Sequence, residues 1–204
     1  MGLLPELTDW FGASREDVWR ELARQVGGWY VEGSHWQAEK VEARVKGWTI
    51  ALDLHTAPLG RTPTLYTRLR AAYTAADDFR FNVRRAGAFS WLGQWLGVQD
   101  LIVGHEPFDG DFVIQANDER QVRELLGNLR IRQLIQQQPR IDFGSQPAQA
   151  WGEGTLPDGA CELRFHVEDV IKDVDRLRSL YDLFAETLDQ LCRLGLAAPR
   201  KSGP

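Results

Sequence analysis

Val170-Ile-Lys-Asp-Val-Asp-Arg-Leu-Arg-Ser-Leu-Tyr-Asp-Leu-Phe-Ala-Glu-Thr-Leu-Asp-Gln-Leu191 carries apolar residues at 170, 174, 177, 181, 184, 188 and 191. Steps of four and three put these side chains on one stripe of an α-helix, with Asp, Glu and Arg elsewhere around the cylinder. Gly195 is placed as a C-terminal stop, so the pattern predicts a helix of about 26 residues, roughly 39 Å long at 1.5 Å per residue. A stripe that wide needs a layer to cover. The segments upstream alternate with a period of two, the signature of pleated strands half-buried on one face.

Val41, Ala43 and Val45 alternate with Glu42, Arg44 and Lys46. Trp48, Ile50, Leu52 and Leu54 alternate with Thr49, Asp53 and His55. Lys46-Gly47 between them reads as a hairpin turn, with Trp29 to Val31 as an earlier strand. Leu65, Thr67, Leu69, Ala71 and Tyr73 then alternate with Tyr66, Arg68, Arg70 and Ala72, and Phe79, Phe81 and Val83 with Arg80, Asn82 and Arg84. With Asp77-Asp78 as the turn, this predicts a second hairpin placing Arg68, Arg70, Arg80 and Arg84 on one face of neighbouring strands. Further strands are expected at 101–103, 112–114, 140–143, 150–153 and 161–167.

Ser14-Arg-Glu-Asp17 has the form of a capping box and predicts a first helix at 14–26. Asp118 opens a helix that Gly127-Asn128 interrupts, and a second follows to Gln137, before Pro139. Strand–helix–strand alternation and a Gly-rich phosphate loop are both missing, so the fold class expected is α+β. A curved antiparallel sheet of six to nine strands packs against the long C-terminal helix, flanked by the first helix and the 118–137 pair. One domain is expected over 1–198, divisible into 14–105 and 106–196, with a flexible tail at 199–204.

The 204 residues are 43% hydrophobic and 26% charged, which excludes a disordered chain, and two cysteines exclude a disulfide scaffold. Cys161 and Cys192 read as reduced packing residues of a cytoplasmic protein. The N-terminus lacks the pattern of a signal peptide, and no apolar run is long enough to span a membrane. The net charge of −5 argues against nucleic-acid binding, yet residues 57–99 carry two acids against six bases. Guanidinium groups on adjacent strands suit bidentate contact with phosphate or carboxylate; the competing reading is cross-strand pairing with the acids of the C-terminal half.

Beside that basic stretch lies the charge-free run 86–97, with Phe89, Trp91, Leu92, Trp95 and Leu96. It reads either as core or as a surface for a protein, a hydrophobic ligand or a peripheral membrane contact. Asp100, His105, Glu106, Asp109 and Asp111 form the densest polar group and the alternative site of a metal-dependent hydrolase, although Asp109-Gly110 is also an ordinary turn dipeptide. No nucleophile motif surrounds any serine. The reading is therefore a non-catalytic binding protein without a cofactor, engaging a protein or anionic partner through Arg68, Arg70, Arg80, Arg84, Phe89, Trp91 and Trp95. The alternatives are the hydrolase and a binder of hydrophobic small molecules.

The segments Gly47-Trp-Thr-Ile-Ala-Leu-Asp53, Tyr66-Thr-Arg-Leu-Arg-Ala71, Phe79-Arg-Phe81, Gly97-Val-Gln-Asp100, Phe108-Asp-Gly-Asp-Phe-Val-Ile114 with Asn117-Asp118, and Val170-Ile-Lys-Asp-Val-Asp-Arg-Leu177 resemble a family of bacterial proteins of unknown function. The resemblance implies one folded unit from about 14 to 196 in a bacterial cytoplasm. It assigns no activity to any position.

Overall fold

The computed structural model describes residues 14–34, 38–57, 64–87, 100–147 and 160–199. Their elements run α1 (Arg15–Val26), β1 (Trp29–Val31), β2 (Lys40–Val45), β3 (Trp48–Ala57), β4 (Thr64–Ala75), β5 (Phe81–Arg85), α2 (Phe108–Asp111) and β6 (Phe112–Ala116). There follow α3 (Glu119–Leu126), α4 (Leu129–Gln136), β7 (Asp142–Pro147), β8 (Ala160–Val167), α5 (Val174–Arg193) and β9 (Ala197–Ala198). All described strand pairs are antiparallel and build one curved, unclosed sheet of nine strands in the order β1-β2-β3-β4-β8-β7-β5-β6, with β9 on the far end of β4.

Local chemistry explains the element ends. The Ser14 hydroxyl accepts from the Asp17 amide at 3.1 Å while the Asp17 carboxylate reaches back to Ser14, so α1 starts with a complete capping box. The Asp118, Asn128 and Asp173 side chains cap α3, α4 and α5 by accepting first-turn amides. Lys46 at φ +51° and Gly47 at φ +88° form the two-residue turn between β2 and β3, both positions needing the left-handed conformation.

Helix α5 is 20 residues, about 30 Å, and not 26. Asp173 caps it, so Val170 and Ile171 lie in the lead-in strap, where Thr67 accepts the Ile171 amide at 3.1 Å. The helix runs across the sheet: Tyr181 Oη donates to the Val41 carbonyl of β2 at 2.9 Å, and Phe184 meets Phe143 of β7 with ring centroids 5.6 Å apart. Alternate residues of the strands (Ile50 and Leu52, Leu69 and Ala71, Leu163 and Phe165, Phe81 and Val83) join α1, α3, α4 and α5 in one apolar cluster. The core sits between the sheet and this helix layer.

Several sequence expectations need correction. β4 and β5 do not form a hairpin; β8 and β7 lie between them, because β4 gains an eight-pair ladder with β8 and β5 is drawn between β6 and β7. Residues 101–103 form no strand but run along the sheet margin, where the Leu101 amide donates to the Ile114 carbonyl at 2.8 Å. Asp109-Gly110 lies in the short helix α2 and not in an open turn. The strand expected at 140–143 begins at Asp142 and continues to Pro147. The strand expected at 150–153 lies outside the described residues.

Candidate site on the polar face of the sheet

Many of the strand residues pointing away from the helices are polar, and several of those are buried. β3 contributes Asp53, β4 Arg68 and Arg70, β8 Glu162, Arg164 and His166, β7 Gln146, β5 Asn82 and β6 Gln115. Arg68 is 5% exposed, Arg164 6%, Asp53 5%, Glu162 9% and His166 7%. Charged side chains are almost never this buried unless they are paired.

Asp53 is the hub. Arg68 Nε donates to its Oδ1 at 2.8 Å and Arg68 Nη2 to its Oδ2 at 3.0 Å, a bidentate fork; Arg70 Nη2 adds a third bond to Oδ2 at 2.7 Å. Burial pushes the Asp53 carboxyl up, but the Arg68 hydrogen bonds and the charges of Arg70 and Arg68 outweigh it and hold the group below the usual aspartate value. Glu162, 4.0 Å from Arg70, goes the other way: burial raises it, and the arginine charges only partly oppose that.

His55 Nδ1 lies 3.5 Å from Arg68 Nη1, and Tyr66 and His166 pack with ring centroids 5.9 Å apart. Burial lowers His166, Asp142 at 3.8 Å opposes this, and the imidazole is net below its ordinary value and so neutral at pH 7. Asn82 Nδ2 donates to Asp142 at 2.7 Å, carrying the network to β5.

Of the residues singled out from sequence, Arg68 and Arg70 lie in this network. Arg84 shares the face but stands three strands from β4, in register with Asp142, and Arg80 is exposed ahead of β5. The four therefore do not form one compact patch. Cross-strand pairing accounts for Arg68 and Arg70, mainly through Asp53 of the N-terminal segment rather than the C-terminal acids. Phe89, Trp91 and Trp95 lie outside the described residues.

The alternative metal cluster does not converge. Both Asp109 oxygens accept backbone amides, of Val103 at 2.9 Å and His105 at 2.6 Å, so this carboxylate closes its own loop. Asp100 accepts from Gln115 Nε2 at 3.0 Å. Among the described residues, no three His, Cys, Asp or Glu side chains come together as a metal site.

The sequence reading missed Asp53, Glu162, Arg164 and His166 as site residues. Alternation does place 162, 164 and 166 on one face of a strand. What it could not supply was the neighbour: β8 lies about ninety residues beyond β4 in the chain.

No protein-family model and no curated protein matches this chain. Among solved structures it is similar to the crystal structure of the mycobacterial trehalose monomycolate transport factor A, with a TM-score of 0.52 and 10% identity over 92% of this chain and 98% of that one. The likeness is one of fold. No helix among the described residues is long and apolar enough to cross a membrane.

Proposed function

We propose that this chain is a non-catalytic binding protein whose partner engages the charged face of the sheet together with the aromatic run at 89–96. The observation that carries the reading is a set of arginines and carboxylates buried on the face away from the apolar core. Such networks add little to stability compared with apolar residues of similar volume, and buried charged clusters are candidates for functional sites, which supports reading this one as a binding face. The Asp53 carboxylate is taken up by the guanidinium groups of Arg68 and Arg70, and Ser145 lies on the opposite, core face, sharing a hydrogen bond with Tyr73.

The aromatic run follows β5 directly in sequence, and β5 carries Arg84 on the charged face. The structural neighbour is described as a trehalose monomycolate transport factor, a name that is compatible with a binding role. Two free thiols fit a reducing cytoplasm, and membership of a bacterial family without an assigned activity belongs to the same proposal.

The test compares the wild-type chain with a Trp91→Ala/Trp95→Ala variant by native mass spectrometry for a retained molecule and by co-sedimentation with phosphatidylglycerol vesicles. A bound species lost in a variant of unchanged unfolding midpoint supports the reading. No bound species in the wild type, with a midpoint several degrees lower in the variant, would assign both tryptophans to the core and overturn it.

A further inference from the structure

We draw no further inference here: the strongest candidate, the side-chain cluster of His166, Asp142 and Asn82 that joins β8, β7 and β5 on the polar face of the sheet, belongs to the site already described and offers, beyond the direction in which burial moves the His166 imidazole, nothing that points to a switch or a ligand.

Discussion

Asp53 shows how one residue decides the state of its neighbours. Its carboxylate serves two guanidinium groups in a site where water is scarce, so removing its charge takes from the buried Arg68 and the half-buried Arg70 the carboxylate they share. Asp53→Asn should cost about 3–5 kcal/mol in urea unfolding, against near zero for Asp→Asn at an exposed position. The pH dependence follows from the direction of the shift. The folded carboxyl lies below its unfolded value of about 4, so its contribution is fully present above that pH and is lost as the pH falls through the lower folded value. Wild-type stability should therefore drop below pH 4 more steeply than that of Asp53→Asn; parallel curves would contradict the assignment. Arg68 and Arg70 were legible in the sequence as cations on a strand face, but Asp53 was not legible as their partner. The alternation in β3 marks it only as polar.

At the scale of elements, local signals read well because their causes are local. The capping box at Ser14, the caps at Asp118 and Asn128, and the Lys46-Gly47 turn each depend on residues within a few positions of one another. The β4–β5 hairpin failed for the opposite reason. Asp77-Asp78 does end a strand, but the ladder β4 makes is with a segment that arrives much later, and no turn residue encodes that preference. Two substitutions test the packing that results. Phe184→Ala on α5 opens a cavity against Phe143 and should cost about 3–5 kcal/mol. Gly144→Ala should cost at least the roughly 1–3 kcal/mol of ordinary overpacking, since the clash is with backbone that cannot rotate away. Hydrogen exchange should place the added opening in the β5–β7 ladder, and even protection across that ladder would count against the close approach.

For the molecule as a whole, one sheet separates two environments of opposite character. On the helix side α5 crosses from β2 to β7 over an apolar layer; on the other side the described residues bury charge. The fold class and the long amphipathic helix were readable from periodicity, because each follows from side chains that repeat along the chain. The charged face was not, because it exists only once β3, β4, β8 and β7 are side by side. The most direct test is the stability of Asp53→Leu/Arg68→Met/Arg70→Leu, which replaces the Asp53 hub and its two arginines with apolar groups. If the face is kept for binding, urea unfolding will show stability equal to or above wild type, while a molecule retained by the wild-type chain in native mass spectrometry is lost. A loss of several kcal/mol with binding unchanged would mean that these charges hold the fold together, and would contradict the account.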